Sequence, residues 1–187
     1  MTRALFQPIQ LRDVTLDNRI VVSPMCQYSA TDGTMSDWHT MHLGQFAIAG
    51  AGLIVVEATG VEPEGRISLG CTGLYSDANE QAMKRVIDFC KAHGSSKIGI
   101  QLSHAGRKGS TSLPWAAKQG AVPLSEGGLT PFAPSPVPFN DKYPMPQGLD
   151  DAGLARVKQA FVGATERAAR AGFDLIEIHG SHGYLIH

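Results

Sequence analysis

At 187 residues, 43 % hydrophobic and 18 % charged, the chain is long and apolar enough to fold around one sizeable core, which excludes both a disordered polypeptide and a large multidomain machine. Sixteen Lys plus Arg against seventeen Asp plus Glu leave a formal net charge of -1, so the sequence carries no electrostatic footprint for nucleic acid or anionic lipid. The longest apolar run, Phe46 to Val56, is far short of the roughly 20 residues of a membrane helix and is broken by glycines. Polar residues and Pro8 follow Met1 to Phe6 before any signal-peptide apolar core forms, so export is not expected. Cys26, Cys71 and Cys90 are widely spaced, odd in number and without a Cys-x-x-Cys pair, which argues against a disulfide framework or a zinc knuckle and for a reducing cytoplasm.

In chain order, a small hairpin is expected over about residues 6–16, then a buried strand Arg19-Ile20-Val21-Val22-Ser23 closed by Pro24. Ser36 or Asp37 can cap a helix carrying Trp38, Met41 and Phe46, ended by Gly50 and Gly52. Leu53 to Ala58 is a continuous apolar run of the kind covered on both faces in a parallel sheet. Asp77 then caps a helix whose Met83, Val86, Ile87 and Cys90 recur on one buried face, which makes Cys90 a core residue. Lys97 to Leu102 reads as the third strand, and about residues 103–148 as a long loop rich in Pro, Gly and Ser, a length that usually marks function or mobility. Asp150 caps a third helix with Leu154, Val157, Phe161, Ala164 and Ala168 on one side, and Gly172 releases it into the strand Asp174 to Ile178.

This alternation implies a parallel α/β sheet with right-handed crossovers, either open and doubly wound or part of a (β/α)8 barrel. No Gly-x-Gly-x-x-Gly follows a strand, which lowers the dinucleotide-binding reading. The reactive side chains gather at the C-terminal strand ends, the rim where such folds place their sites: Pro24 to Tyr28, Glu57-Ala58, Gln101 with His104, and His179, His182 and Tyr184. His179 and His182 can converge as an oxyanion clamp for a substrate carbonyl, or ligate a metal together with the pair His39 and His42; structural histidines are the third reading. Cys26 has no adjacent base, so a buried inert thiol is its default and nucleophilic attack is weakly supported. Tyr28 and Tyr184 read first as packing residues, although a phenol in the glycine-rich turn at Tyr184 can donate a proton.

Pro24-Met25-Cys26-Gln27-Tyr28, Asp37-Trp38-His39 with His42, Val56-Glu57-Ala58, Pro63-Glu64-Gly65-Arg66-Ile67, Gln101 to Lys108 and Glu177 to Leu185 together resemble the old yellow enzyme family. The cysteine after the first strand is similar to the subclass that includes bacterial xenobiotic reductases. The resemblance implies a (β/α)8 TIM barrel holding non-covalent FMN, reduced by NADPH and reoxidised by an alkene conjugated to an electron-withdrawing group. It places Ser23, Pro24, Met25 and Cys26 along the flavin, Ala58 beside it and the Gln101 amide on its pyrimidine edge. It implies that Cys26 tunes the flavin potential, that Tyr28 lines the pocket, that His179 and His182 hold the substrate oxygen, and that Tyr184 gives a proton to the α-carbon. No metal is implied. Gly180-Ser181 stands where bulkier residues or alanine are expected, which widens the pocket.

A barrel of this type takes about 250 residues. The 187 residues are therefore expected to supply about the first four strands and three helices, the N-terminal half of a single FMN-binding domain. A fragment, one piece of a split enzyme and an engineered half-barrel all fit the sequence. The expected partners are a small activated alkene, a C-terminal half-barrel from the same or a complementing chain, and further copies in a homo-oligomer; nucleic acid and membrane are not expected. Two rivals stand beside this reading: a metal-dependent barrel hydrolase built on the His pairs, and a non-catalytic half-barrel assembly unit.

Overall fold

The computed structural model describes residues 3–187; Met1 and Thr2, the first residues of the segment read above against export, lie outside the described residues. After a turn of 3-10 helix at Ala4–Phe6, β1 (Ile9–Leu11) and β2 (Val14–Leu16) form the expected hairpin, antiparallel with Ile9 opposite Leu16. The main sheet has four parallel strands, β3 (Val21–Val22), β4 (Leu53–Gly60), β5 (Lys97–Ser103) and β8 (Leu175–Ile178), side by side in chain order. Helices α1 (Asp37–Ile48), α2 (Asp77–His93) and α3 (Asp151–Ala171) make the three crossovers. The first strand is shorter than its apolar run: Ile20 pairs only through its carbonyl, which accepts from Gly52 N and Leu53 N, and Pro24 has no N–H to extend the ladder.

Alternation along the strands explains which side chains go where. Ile54, Val56, Ile98, Ile100, Leu102 and Ile176 pack with the helices into one core that includes Met83, Val86, Ile87 and Cys90, as the spacing on α2 implied. On the other face Leu53, Val55 and Leu175 close over Leu16, Ile9 and Val14, so the hairpin plugs one end of the concave side. The remaining residues of that face, Glu57, Gln101, Glu177 and His179, are polar and lie toward the C-terminal strand ends. Sequence position along each strand thus separates a stabilising end from a chemical end.

Several boundaries differ from the sequence reading. Ser36 caps α1 through a capping box with His39, and its buried face is His39, Leu43, Gly44 and Ala47, whereas Trp38 and Met41 are about half exposed. Ser76, not Asp77, caps α2, its hydroxyl accepting from Asn79 N at 3.1 Å. Asp150 caps α3 as expected and Gly172 ends it at φ +91°, but Leu154 is exposed because it lies in the first turn, before the helix reaches the core. The fourth strand begins at Leu175, because the Asp174 carboxylate turns to accept from Ile98 N. The long loop is not featureless: β6 (Phe132–Ala133) and β7 (Gln147–Gly148) pair in parallel within it. No helix among the described residues is long and apolar enough to cross a membrane.

Candidate functional site

The rim begins with a β-bulge. Val56 lies opposite Ile100, yet Thr59 lies opposite Leu102, so β4 carries one extra residue at Glu57-Ala58. A bulge there re-aims side chains at the strand end, and the Ala58 backbone lies beside the Cys26 sulfur. Glu57 is almost fully buried; its carboxylate accepts from Gln27 N at 3.1 Å, while His39 Nε2 sits 3.5 Å away and out of line for a hydrogen bond. His39 Nδ1 accepts from Ser36 N, so the proton of the neutral ring is on Nε2, facing that carboxylate. His42 stacks edge-on to Phe46, and burial holds its pKa below the ordinary imidazole value.

Cys26 meets a second thiol that its sequence neighbours do not reveal. Cys71, followed by burial and the charge of Glu57, pushes the Cys26 thiol far above its ordinary pKa. Cys26 in turn pulls Cys71 down, helped by the Ser68 hydroxyl and backbone N–H at 3.5 and 3.4 Å. The neighbour that the sequence did not reveal is thus a sulfur 45 positions along the chain, and it keeps Cys26 protonated. Tyr28 lies in the left-handed region at φ +52°, its carbonyl turned into Gly70, where a Cβ would come within 2.6 Å. Its ring packs edge-on against Trp115 from the long loop, and burial raises its phenol to about 12.

Gln101 and Glu177 face each other across β5 and β8, the amide Nε2 donating to Glu177 Oε1 at 2.5 Å. His179, buried at the end of β8, accepts from Ser181 N through Nδ1, so its Nε2–H donates to His182 Nδ1 at 3.2 Å. The two rings do converge, but they are bonded to one another, leaving His182 Nε2–H as the free donor. Burial, then the neighbouring His182, lowers the His179 pKa below the ordinary imidazole value. His182 holds φ +61°, with Lys108 Nζ donating to its carbonyl at 2.6 Å. A Cβ at Gly180 would meet nothing within 4 Å.

Tyr184 packs on His179 with ring centroids 4.7 Å apart, and burial raises its phenol pKa, keeping it protonated. Its segment is held by His104, whose carbonyl accepts from Leu185 N. His104 is itself fixed: Gly106 N donates to Nδ1 at 3.0 Å, so Nε2–H donates to Glu62 at 2.9 Å, and Arg156 of α3 closes on the same carboxylate. Burial alone would raise Glu62, but the His104 and Arg156 hydrogen bonds outweigh it and hold its pKa below the ordinary value. A group so depressed stabilises the fold above its unfolded pKa, and that contribution is lost as pH falls through the folded value. Glu62→Ala is expected to cost about 1 to 3 kcal/mol at pH 7, the penalty for leaving the His104 donor buried and unpaired. Urea unfolding of the full-length protein across pH checks it, with the gap between variant and native narrowing below pH 4 to 5.

Clefts of about 520 Å³, beside Tyr28, Ile67, Thr111 and Tyr143, and about 380 Å³, beside Arg107, Ser135, Tyr184 and His187, open on the rim. Among the described residues no group of three or more His, Cys, Asp or Glu is arranged to hold a metal. His39 and His42 share β4's end with Glu57, whereas His179 and His182 face each other at β8. What the rim offers is a row of neutral donors, an amide, an imidazole and a phenol, with a thiol at one end.

Residues 4–187 match the NADH:flavin oxidoreductase / NADH oxidase family. The chain belongs to this family. An NADPH dehydrogenase of Geobacillus thermodenitrificans is 44 % identical over 188 residues, which cover all of this chain and 50 % of that protein. An NADH:flavin oxidoreductase of Gibberella zeae is 44 % identical over 186 residues, 98 % of this chain and 45 % of that protein. Among solved structures, morphinone reductase superposes with a TM-score of 0.80 at 29 % identity, covering 97 % of this chain and 49 % of that one. The old yellow enzyme from Pichia sp. AKU4542 gives 0.82 at 28 % identity, covering 97 % and 47 %. The chain thus spans about half the length of the relatives it matches, and its four parallel strands and three helices are a partial α/β barrel of the flavin oxidoreductase kind. Of the rim residues of this family member, sequence reasoning missed Glu177, Cys71, Lys108 and Trp115. Only Glu177 left a local signal, as the one acidic residue in an apolar strand, two positions before His179 and so on its face.

Proposed function

We propose that the protein to which these 187 residues belong is an FMN-dependent NADPH oxidoreductase that reduces the C=C bond of alkenes activated by a carbonyl or nitro group. The observation that carries this reading is the convergence of Cys26, Ala58, Gln101 and the His179, His182, Tyr184 group from successive parallel strand ends on one rim, in a chain of a flavin oxidoreductase family. The names of its relatives, NADPH dehydrogenase and morphinone reductase, support the same reductant and the same kind of acceptor.

The residues fit one side of a flavin. Ser103 Oγ is buried without a partner on the Gln101 face of β5, and the Gln101 amide keeps a carbonyl oxygen and one N–H beyond its bond to Glu177. Ser23, Pro24, Met25 and Cys26 would run along one edge of the ring system and Ala58 would lie against it, where the bulge leaves only a methyl group. When bound, FMN supplies the hydride step between nicotinamide and alkene. The chain's own part is orientation and electrostatics.

For both histidines to hold a substrate oxygen, the bond between their rings opens and His179 Nε2–H turns from His182 to that oxygen; two donors then withdraw electron density from the β-carbon. Tyr184, kept protonated by burial, holds the proton destined for the α-carbon. Tyr28 lines the pocket, braced by Trp115. In the same reading a C-terminal half-barrel covers the outer edges of β3 and β8 and completes a single FMN-binding domain. The test is to purify the full-length protein: a yellow protein that bleaches with NADPH under anaerobic conditions and recolours with one equivalent of an enone is expected. A colourless protein carrying a stoichiometric transition metal would overturn the reading.

A further inference from the structure

We propose that Glu57 is a positioning residue for the segment Pro24 to Tyr28: from the bulge of β4 its buried carboxylate anchors the backbone at Gln27 and so sets the course of the chain past Cys26. The consequence at the cofactor rests on the flavin reading above, in which Ser23 to Cys26 run along the ring system. Glu57 is only 4 % exposed, and no step of the proposed reaction uses it. Burying a carboxylate costs free energy unless polar partners offset it. Its partners are specific. Oε2 accepts from Gln27 N at 3.1 Å, 30 positions away in the chain, and Oε1 faces His39 Nε2 at 3.5 Å.

Residues 23–30 carry no regular secondary structure, so contacts of this kind decide their course. The first turn of α1 and the residue that caps it hold the same segment. Trp38 Nε1 donates to Gln27 Oε1 at 3.0 Å, Gln27 Nε2 donates to Met25 O at 2.8 Å, Ser29 Oγ donates to Gln27 O at 2.9 Å, and Ser36 Oγ donates to Ser29 O at 3.3 Å. Gln27, directly after Cys26, is thus the point where the β4 bulge and the start of α1 meet.

A carboxylate is needed at this position, and not merely a side chain of its size. Ser36 N donates to His39 Nδ1 at 3.0 Å, which leaves the proton of the neutral imidazole on Nε2, toward Glu57. Gln27 N meets the other oxygen. Both groups that face Glu57 are therefore donors. An ionised carboxylate offers two acceptor oxygens and an amide only one. In Glu57→Gln the NH2 meets an N–H whichever way the amide is turned, that of His39 or that of Gln27, so a substitution that changes almost no volume sets two donors against each other in a buried place.

The test compares the full-length protein with its Glu57→Gln and Trp38→Phe variants; the second removes only the indole donor to Gln27 and lies at an exposed residue outside the core cluster. Hydrogen exchange resolved to single amides reads the anchor without flavin, and fluorescence titration reads FMN affinity. In Glu57→Gln the Gln27 amide is expected to exchange at least tenfold faster while the amides of Ile98 to Leu102 in β5 keep their native rates. The Kd for FMN is expected to rise at least tenfold, about 1.4 kcal/mol. Trp38→Phe is expected to move both in the same direction by a smaller factor. A Gln27 amide that keeps its native rate in Glu57→Gln would overturn the anchor. Faster exchange at Gln27 with unchanged FMN affinity would overturn the positioning role. If exchange rises equally in β5 the whole sheet has loosened, and Trp38→Phe decides: no change at Gln27 or in FMN affinity there overturns the role. A native protein that binds no FMN defeats the flavin reading, and exchange at Gln27 still decides the anchor.

Discussion

Replacing both His179 and His182 with Ala in the full-length protein is expected to lower enone reduction by orders of magnitude while NADPH still reduces the bound flavin at a measurable rate. Donors aimed at an oxygen that gains charge in the transition state are each worth about 2.7 to 4 kcal/mol, or 10² to 10³ in rate. The two do not act independently. His179 Nε2–H is committed to His182 Nδ1 in the substrate-free arrangement, so removing His179 frees His182 to rotate, and removing His182 leaves a buried N–H without an acceptor. Losses from the single variants are therefore expected not to sum to the loss from the double variant. Following the two half-reactions separately by stopped flow distinguishes a carbonyl clamp from a nicotinamide site, since the clamp acts only when the alkene is present. Enone turnover that survives in the double variant would defeat the assignment.

The order of strands and helices was legible because it rests on local signals. The apolar runs at Leu53 to Val56 and Ile98 to Leu102, the i, i+3, i+4, i+7 spacing on α2 and the caps at Ser36 and Asp150 depend on residues within a few positions of one another. Placement of the rim followed from the rule for parallel sheets, since the C-terminal ends of β4, β5 and β8 lie side by side in one sheet. What stayed hidden depends on contacts far apart in the chain. Gly70, beside Cys71, meets the Tyr28 carbonyl in a tight backbone contact, and Trp115 reaches Tyr28 from within a loop of weak local preference. The His179 to His182 hydrogen bond also escaped sequence reasoning, which sees that two rings are near but not that the tautomer set by Ser181 N makes each the partner of the other. Leu154 shows the converse error: a periodic face was extended one turn beyond the point where the helix meets the core.

A polypeptide of residues 1–187 alone is expected to be oligomeric or aggregation-prone and to bind FMN too weakly to survive gel filtration. In the sheet order β3, β4, β5, β8 the two outer strands are each paired on one side only. Their apolar side chains are open: Val21 is 48 % and Ile178 49 % exposed, and Ile178 is on the face that buries Ile176. Free apolar edges recruit other chains unless charges or proline block them; Pro24 lies beyond the end of β3, and Glu177 is on the opposite face of β8 from Ile178. The cofactor argument points the same way. Gln101, Ala58 and Cys26 address one side of a ring system, whereas barrels usually hold a phosphate with the loops after strands seven and eight, beyond the four strands described. Charge-assisted bonds to phosphate are about twice as strong as neutral ones, so a site without them holds the ring by stacking and a few amide contacts alone. Light scattering gives the solution size and fluorescence titration the FMN affinity, and co-expression with the C-terminal half of the full-length protein is expected to restore both a defined size and a retained flavin. A monodisperse monomer of residues 1–187 that keeps FMN through gel filtration would show that the first four strands suffice.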